Sequence, residues 1–394
     1  MPEVAGITLG TACAGIKQTL RDDLLLVEMA EHATCAAVFT QNAFCAAPVV
    51  VAKAHLNQAP RWLLVNSGNA NAGTGEQGMQ DALASCRAVV EVSGGYAEQV
   101  LPFSTGVIGQ ALPIEKIMAA MPKVFDNLSP AHWPLAAQAI MTTDTYPKAV
   151  TTVITLEGQP VTINGIAKGA GMIQPNMATL LGFIATDAKI AQPLLQTCLA
   201  MAVEQSFNLI TVDGDTSTND ACVLMASGCA LAPEILPESS NYTLFAEAIL
   251  SVCKQLAEAI IRDGEGATKL IRIVVAEAQT DAEAICIAKT IAHSPLVKTA
   301  FFASDPNWGR ILAAVGRAEV DQLVVEKVRI YLDDVCIVSQ GGRDLAYTEA
   351  AGQAVMNQSE ISVRIFLGRG NACQEVLTCD FSYDYVKINA EYRT

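Results

Sequence analysis

Histidine is scarce in this chain. The four that occur, His32, His55, His132 and His293, are far apart in the sequence, so no local spacing of a metal site or of a serine–histidine–aspartate triad can be built from them. We expect them to be structural or surface residues. Any hydroxyl nucleophile in this protein must therefore find its base elsewhere.

Positive charge and long apolar runs are also in short supply. The 394 residues include 25 lysines and arginines against 40 aspartates and glutamates, a net charge of −15, which argues against nucleic acid or an anionic membrane as a partner. No apolar run approaches the ~20 residues that span a bilayer. The first basic residue is Lys17, so no basic segment precedes an apolar core as in a signal peptide. We expect a soluble, cytoplasmic protein.

Cysteines are plentiful, but CxxC spacing is missing. The twelve cysteines lie mostly inside apolar runs, which is typical of small buried thiols in a reducing compartment. About half of the residues (51%) are apolar, so the chain can bury a large core. Its length predicts two or more domains.

The most informative stretch is residues 168–188, KGAGMIQPNMATLLGFIATDA. A glycine-rich loop beginning at Lys168 leads to Ala178 and Thr179, and the apolar run at 180–185 predicts a strand buried on both faces. Thr179 is thus the last polar side chain before a rigid element. On this pattern alone, a threonine in ordinary turn chemistry is the simpler interpretation.

A hydroxyl can also acquire a base without histidine. If the bond before Thr179 is cut, the new α-amino group has an ordinary pKa of about 7.7 to 8 and can take the proton of the hydroxyl on the same residue. The hydroxyl itself could make the cut by attacking the Ala178 carbonyl across a strained loop, after which water would hydrolyse the ester. The small side chain of Ala178 leaves that carbonyl approachable.

This stretch closely resembles the cleavage segment of the ornithine acetyltransferase family, the glutamate N-acetyltransferases of arginine biosynthesis, and the likeness extends through most of the chain. The resemblance implies that Thr179 is freed by autoproteolysis and carries acetyl from N-acetyl-L-ornithine to L-glutamate. It also implies an α/β (α+β) fold of layered sheets and helices. The mature enzyme would be two chains, 1–178 and 179–394, assembled as a heterotetramer with two copies of each. Neither metal nor cofactor is expected, and whether acetyl-CoA also serves as a donor is left open.

The segment LPFSTG offers a second catalytic element. A strand that ends in Ser104, Thr105 and Gly106 presents a hydroxyl and an unhindered backbone N–H side by side, which is the donor pair that an oxyanion hole requires. The alternative is an ordinary strand-end turn. The family resemblance assigns the oxyanion role to Thr105 and Gly106, and it makes the nearby NSGNAN loop structural support.

Further residues receive a role only through the resemblance. The positions expected to bind substrate are Thr142, Lys168, Thr179, Glu265, Asn389 and Thr394. Thr143 stays open as an alternative to Thr142. Lys168 would offer a cation to the substrate carboxylate, and Glu265 would contact the substrate's amino end.

Two other classes of function stay open. A GxGxxG motif at residues 73–78 follows a predicted strand and precedes a predicted helix, as in a nicotinamide-dependent oxidoreductase. Two details weaken it: seven residues separate Val65 from the first glycine, and the acidic candidate Glu98 precedes the next strand instead of ending it. A non-catalytic amino-acid-binding module would make Thr179 dispensable.

Hydrophobic patterns predict most of the regular elements. The acidic segment 211–220, TVDGDTSTND, invites a calcium interpretation but lacks the EF-hand spacing, so we expect a loop. Among the other predictions are strands at 47–51 and 208–212 and helices at 79–91, 192–207 and 281–292.

Overall fold

The computed structural model describes residues 1–174 and 180–391. These residues form two compact units. Within the described chain, the first unit comprises 1–169, 180–208 and 216–260, and the second comprises 170–174, 209–215 and 261–391. The units do not coincide with the predicted fragments 1–178 and 179–394, since each fragment contributes to both units. Cleavage into those fragments stays a prediction.

The first unit contains nine strands and six helices in the described residues. The strands are β1 (Ile7–Ala12), β2 (Leu24–Met29), β3 (Thr34–Phe39), β4 (Trp62–Asn69), β5 (Val100–Val107), β6 (Lys148–Leu156), β7 (Gln159–Lys168), β8 (Leu181–Thr186) and β9 (Ala221–Ala226). The helices are α1 (Ala47–His55), α2 (Gly75–Ser93), α3 (Ile114–Asp126), α4 (Trp133–Ala139), α5 (Gln192–Glu204) and α6 (Ser240–Arg262). Short 3-10 helices occur at Ala97–Gln99 and Phe207–Leu209.

Two sheets pack face to face in the first unit. The order is β1-β2-β4-β5 in one sheet and β3-β9-β8-β7-β6 in the other. Their inner faces share one apolar core, in which Phe103 and Phe183 meet edge to face at 5.3 Å between ring centroids. Helices α2 and α3 cover the outer face of the first sheet, and α5 packs on the outer face of the second. The result is a layered α/β arrangement, as expected.

The central strand of the five-stranded sheet is β8. All six of its residues are buried, and it lies between β7 on one side and β9 on the other. The continuous apolar run predicts this position, because a strand with neighbours on both edges and layers on both faces has no exposed side. Edge strand β6 instead alternates exposed and partly buried residues between two buried ends.

The second unit is built on one six-stranded sheet, ordered β13-β12-β11-β14-β10-β15. Its strands are β10 (Leu270–Ala278), β11 (Arg329–Leu332), β12 (Val335–Ser339), β13 (Gly342–Arg343), β14 (Glu360–Phe366) and β15 (Ala372–Cys379). Its helices are α7 (Asp281–Ala292), α8 (Pro295–Phe302), α9 (Trp308–Gly316), α10 (Glu349–Met356) and α11 (Tyr383–Ala390), with a 3-10 helix at Val325–Lys327. Helix α7 packs on β10 and β15 and contributes to the unit's apolar core.

Two predicted strands are wrong. Residues 47–51 belong to helix α1, in which Pro48 occupies the first turn and the buried residues Pro48, Val51, Ala52 and His55 have helical spacing. The valine run favours a strand locally, but burial of one helical face overrides that preference. Residues 208–212 contain the end of a 3-10 helix and a single bridge from Ile210 to Leu377 instead of a strand.

Several helix bounds also differ. Helix α2 begins at Gly75, four residues before the predicted start, and α5 ends at Glu204, three residues before the predicted end. Helix α7 has the predicted bounds. Across the described ranges 1–174 and 180–391, no helix combines the length and the apolarity that crossing a membrane requires.

Candidate active site

The candidate site begins at one end of the five-stranded sheet. Lys168, the last residue of β7, lies opposite Leu181, the first residue of β8, and Ala221 of β9 lies on the other side of Leu181. Ala221 N–H also donates to the Leu180 carbonyl at 2.9 Å. Thr179 precedes Leu180 in the chain and, like Ala178, lies outside the described residues. The sheet therefore positions Lys168 at the strand that Thr179 leads into.

A buried carboxylate organises the residues around Lys168. One oxygen of Asp144 accepts hydrogen bonds from Lys148 Nζ at 2.6 Å and from Gly169 N at 2.7 Å, and the other accepts from Thr142 N at 2.8 Å. The side chains of Asp144 and Lys148 are almost fully buried. The backbone N–H of Thr142 and that of Gly169, the residue after Lys168, thus bond a single carboxylate.

The neighbours of Asp144 keep its carboxyl group ionised. Burial alone would raise the pKa of this carboxyl, but the ammonium groups of Lys168 and Lys148, together with hydrogen bonds from Lys148 and Gly169, lower it to about 2. Asp144 is therefore ionised at neutral pH. Its single negative charge stands against two ammonium groups.

A third lysine, Lys17, belongs to the same cluster. Buried Asp23 accepts from the backbone N–H groups of Ala14, Ile16 and Lys17 at 2.6 to 3.0 Å, which orders this loop. Lys17 Nζ donates to the Ala139 carbonyl at 3.2 Å. Burial lowers the pKa of Lys17 to about 8, and the charges of Arg21 and Lys168 act in the same direction. The carboxylates of Asp23 and Asp144 oppose this shift, so the cluster contains both signs of charge with more ammonium groups than carboxylates.

The predicted oxyanion residues lie where β5 ends beside β4. Thr105 is buried and pairs with Ser67, and Gly106 pairs with Gly68. Gly106 has φ +133°, and a Cβ there would lie 2.3 Å from the carbonyl carbon of Gly68 and 2.6 Å from Asn69 N. Glycine is therefore required at position 106 by both its conformation and its close contact with another backbone.

The NSGNAN loop supports this strand end. Ser104 Oγ donates to Asn66 Oδ1 at 2.6 Å, and Asn66 Nδ2 donates to the Asn69 carbonyl at 2.9 Å. Asn219, just before β9, donates from Nδ2 to the carbonyls of Ala70 at 2.6 Å and Ser104 at 2.9 Å. The loop and the Thr105 segment are thus cross-linked by buried amide groups.

The predicted ligands of the second unit contact each other. Asn389 Nδ2 donates to Glu265 Oε2 at 2.8 Å, and Glu265 is buried. Gly171 lies so close that a Cβ there would come within 2.4 Å of the Glu265 carboxylate. Helix α11, in which Asn389 lies, was not predicted from the sequence. Thr394 lies outside the described residues.

The third glycine of the GxGxxG motif, Gly78, serves the chain's own packing. A Cβ at Gly78 would lie 1.9 Å from Thr74 Oγ1 and 2.6 Å from Asn71 Oδ1, and Asn71 Nδ2 donates to the Gly78 carbonyl at 2.9 Å. Helix α2 begins at Gly75, within the motif. The third glycine thus makes room for side chains of its own loop.

The family profile described as ArgJ family matches residues 8–394. The chain belongs to the ArgJ family.

Relatives in the ArgJ family match almost the full length. The arginine biosynthesis bifunctional protein ArgJ of Methylococcus capsulatus is 64% identical over 391 residues, which cover 99% of this chain and 96% of the relative. The protein of the same description from Pseudomonas fluorescens is 53% identical over 392 residues, covering 99% and 97%. The crystal structure of arginine biosynthesis bifunctional protein ArgJ from Bacillus halodurans matches with a TM-score of 0.51 and 41% identity, over 54% of this chain and 99% of that chain.

The family expected from the sequence is confirmed, and the α/β fold class with it. The enzyme class is confirmed as well: this member of the ArgJ family is a glutamate N-acetyltransferase of arginine biosynthesis.

Sequence reasoning missed three residues that support the predicted site in the first unit of this ArgJ family member: Lys17, Lys148 and Asn219. The spacing of Asp144 and Lys148 in TTDTYPK was the one local signal, because residues four apart can form an ion pair. Lys17 and Asn219 donate to backbone carbonyls that lie 122 and 149 positions away in the chain. No local pattern marks such partners.

Proposed function

We propose that this protein transfers acetyl from N-acetyl-L-ornithine to L-glutamate through an acetyl ester on Thr179, after cutting its own chain between Ala178 and Thr179. The observation that carries the proposal is the sheet end at which Lys168 lies opposite Leu181, two residues after Thr179. Strand β8, which begins two residues after Thr179, is buried along its whole length, so the proposed nucleophile directly precedes the central strand of the sheet.

The proposed cut needs no other catalytic side chain as nucleophile. Thr179 Oγ attacks the Ala178 carbonyl carbon, the amide C–N bond breaks, and the departing nitrogen takes the hydroxyl proton to become a free amine. Water then hydrolyses the ester, which leaves a carboxyl group on Ala178 and restores the hydroxyl. The new amine, with an ordinary pKa of about 7.7 to 8, is the base that Thr179 otherwise lacks.

Acetyl transfer repeats the same chemistry with an external substrate. Thr179 Oγ, deprotonated by its own amine, attacks the acetyl carbonyl of N-acetyl-L-ornithine. Thr105 hydroxyl and Gly106 N–H stabilise the tetrahedral oxyanion, a donor pair of the kind that is typically worth a few kcal/mol in the barrier. The C–N bond breaks and ornithine leaves with the proton. The amine of L-glutamate then attacks the ester carbon, the bond from that carbon to Thr179 Oγ breaks, and the proton lost by the glutamate nitrogen returns to Oγ through the α-amine.

Charge supports the substrate assignment in each unit. In the first, the cationic cluster around Asp144 suits a substrate carboxylate, with Lys168 and Thr142 as ligands. In the second, the Glu265 carboxylate beside Asn389 suits an ammonium group. Thr394 is the remaining proposed ligand. Donor and acceptor share an amino-acid backbone, so one set of ligands can serve both in turn.

The length of a solved relative supports the cut. The Bacillus halodurans chain is covered over 99% of its length by 54% of this chain, so it is little more than half as long as the present protein. Cleavage before Thr179 would leave residues 179–394, which are 216 of the 394. The mature enzyme we propose is a heterotetramer of two 1–178 and two 179–394 chains.

Two finer points belong to the same proposal. The curated relatives are named bifunctional, and we extend that to this protein with acetyl-CoA as a second acetyl donor and no bound cofactor or metal. All twelve cysteines are free thiols, which suits a reducing compartment, so we place the reaction in the cytoplasm.

Intact-mass analysis tests the cleavage. The wild-type protein should give two fragments, the second beginning at Thr179, and Thr179→Ala should remain one uncut chain without transfer activity. Thr179→Ser keeps a hydroxyl and should still be cut. Thr197→Ala is the matched control, because Thr197 is an exposed helix residue whose hydroxyl bonds only Pro193 O in the described chain, and it should behave as wild type. An uncut wild-type chain with full transfer activity would contradict the proposal.

Acetyl release measured with N-acetyl-L-ornithine and with acetyl-CoA, each with L-glutamate as acceptor, tests the donors. We expect acetyl-threonine at position 179 to be trapped when either donor is supplied without acceptor. Transfer that proceeds without any acetylated fragment would exclude the covalent route.

A further inference from the structure

Apart from Asn219, the acidic segment 211–220 has no role in the site described above, yet its first residues form hydrogen bonds with another part of the chain. Asp213 Oδ2 accepts from Met172 N at 2.7 Å, and Asp213 Oδ1 accepts from Ile173 N at 2.9 Å. Both oxygens of one carboxylate thus bind successive backbone N–H groups. We call residues 170–174 the upstream arm, since they precede the proposed scissile bond.

Three further hydrogen bonds hold the upstream arm. Val212 N donates to the Ile173 carbonyl at 2.8 Å, and Thr211 Oγ1 donates to the same carbonyl at 2.9 Å. Glu265 N donates to the Ala170 carbonyl at 2.9 Å. This five-residue segment, which has no regular secondary structure, is therefore bonded at both of its ends to other segments of the second unit.

The upstream arm contains a strained residue. Met172 has φ +54°, in the left-handed region that side chains with a Cβ rarely adopt. Such a conformation persists only where the surroundings over-determine it. The hydrogen bonds that Asp213 accepts from Met172 and from the next residue are the contacts that do so.

We propose that Asp213 is a positioning residue for self-cleavage: it holds Met172 in the left-handed conformation and so sets the direction in which the chain leaves Gln174, upstream of the bond between Ala178 and Thr179. Four residues separate Gln174 from that bond. This inference rests on the proposed self-cleavage.

The carboxylate is suited to this task in a way that an amide is not. Asp213 also accepts from Asp215 N at 3.2 Å, so it serves three backbone donors. An asparagine would keep one oxygen and would present an NH2 group to one of the N–H donors it now accepts. Burial raises the pKa of Asp213 although these backbone donors oppose the shift, so ionising this carboxyl costs folding stability. Asp213→Asn removes this cost but also loses one acceptor, so its two effects on folding stability oppose each other.

The cleavage rate of Asp213→Asn tests the proposal. Freshly translated precursor is followed by intact mass, with Asp215→Asn as the matched control, since Asp215 is an exposed neighbour of the same charge. We expect Asp213→Asn to cut about ten- to a hundredfold more slowly, the factor for one hydrogen bond to a charged group. The control should cut at the wild-type rate, and all three proteins should melt within a few degrees of each other.

Two additional measurements separate positioning from a merely structural effect. Met172→Gly in the Asp213→Asn background should recover part of the rate, because glycine adopts positive φ without strain. Hydroxylamine, which cleaves an ester but not an amide, should not restore cutting in Asp213→Asn, because the attack on Ala178 itself is what slows. The proposal would be overturned if hydroxylamine restored the cleavage rate of Asp213→Asn. It would also be overturned if Met172→Gly failed to raise that rate.

The outcomes distinguish this inference from the proposed function. A wild-type chain that is never cut refutes the cleavage, and the role of Asp213 with it. A wild-type chain that is cut, alongside an Asp213→Asn chain cut equally fast, refutes only the role of Asp213. If Asp213→Asn does not fold, Thr211→Val removes one hydroxyl bond to the Ile173 carbonyl and should slow cutting several-fold; an unchanged rate would again refute the positioning role.

Discussion

The two units of this protein hold their functional carboxylates in opposite ways. In the first, Asp144 faces two ammonium groups, and its pKa is lowered to about 2. In the second, Asp213 has only N–H and O–H donors as its hydrogen-bond partners in the described chain, and burial raises its pKa. The difference shows that a buried aspartate can be either a source of stability or a cost to it, depending on whether its partners carry a full charge.

Two glycines of the predicted site, one in each unit, differ in what an added side chain would meet. Gly106 lies against the backbone of Gly68, which cannot move aside, whereas Gly171 lies against the end of the Glu265 side chain, which can. We infer that the first unit is rigid at its predicted oxyanion residues and that the second can adapt around its predicted ligand.

The largest effect should come from removing the cation that pairs with Asp144. Lys148→Met leaves a buried carboxylate with less compensation, which typically costs about 3–5 kcal/mol, and chemical denaturation would measure the loss. Lys189→Met is the matched control, because its pair with Glu234 at 3.2 Å is largely exposed and should be worth less than about 1 kcal/mol. Equal losses in the two variants would refute the contrast between the buried and exposed pairs.

Gly106→Ala should come next. The added Cβ cannot be accommodated beside Gly68, so the N–H of residue 106 should move away from the developing oxyanion. We expect kcat to fall by about 10²–10³, as for other single oxyanion donors. Gly109→Ala introduces a side chain at φ +79° where nothing lies within 4 Å, so it should weaken the fold slightly and leave kcat near that of the wild type. A loss of kcat in both variants would point to general strain instead.

Acid should remove the stability that the ionised Asp144 carboxylate contributes to the first unit. The lowered pKa of Asp144 contributes stability that is present above the unfolded-state pKa of about 3.8 and is lost as pH falls towards 2. The loss should amount to about 2 kcal/mol. Free energies of unfolding measured across pH 2 to 5 should show this slope in the wild type and a shallower one in Asp144→Asn, while parallel curves would contradict it.

Gly171→Ala should have the smallest effect. Its Cβ would displace the Glu265 carboxylate, so KM for L-glutamate should rise several-fold while the melting temperature changes little. Gly316→Ala, at a position in the same unit with no atom within 4 Å of the added Cβ, should leave KM unchanged. A collapse in stability with Gly171→Ala would show that this unit is no more adaptable than the first.

Strong local signals predicted the elements on which the site depends. The run at 180–185 indicated a central strand, and β8 occupies that position. Helix α7 has the predicted bounds because its periodicity is clear and Thr280 accepts from Glu283 N at its start. Segment 47–51 failed because its valines favour a strand locally, whereas the tertiary structure buries one helical face.

Sheet order and the clustering of charges could not be predicted from local patterns. Strand β9 is short, follows an acidic loop and was not predicted at all, yet it is the neighbour of β8. Lys17 and Ala139 are 122 positions apart in the chain, and Asp213 and Met172 are 41 apart. Such pairings depend on topology. The family resemblance supplied candidate residues for the site but not these contacts.

The strand order β3-β9-β8-β7-β6 affects how the protein could refold after the proposed cut. Strands β8 and β9 would belong to one fragment, while β3 and β7 on either side of them would belong to the other. The strands of the two fragments would therefore alternate in the sheet. Separating the fragments would require breaking the hydrogen bonds between β3 and β9 and between β7 and β8. Folding of the uncut precursor is unimolecular, but regaining this sheet from denatured mature fragments would require two chains to meet. Renaturation of the mature enzyme should therefore depend on protein concentration, and the precursor has one opportunity to fold as a single chain.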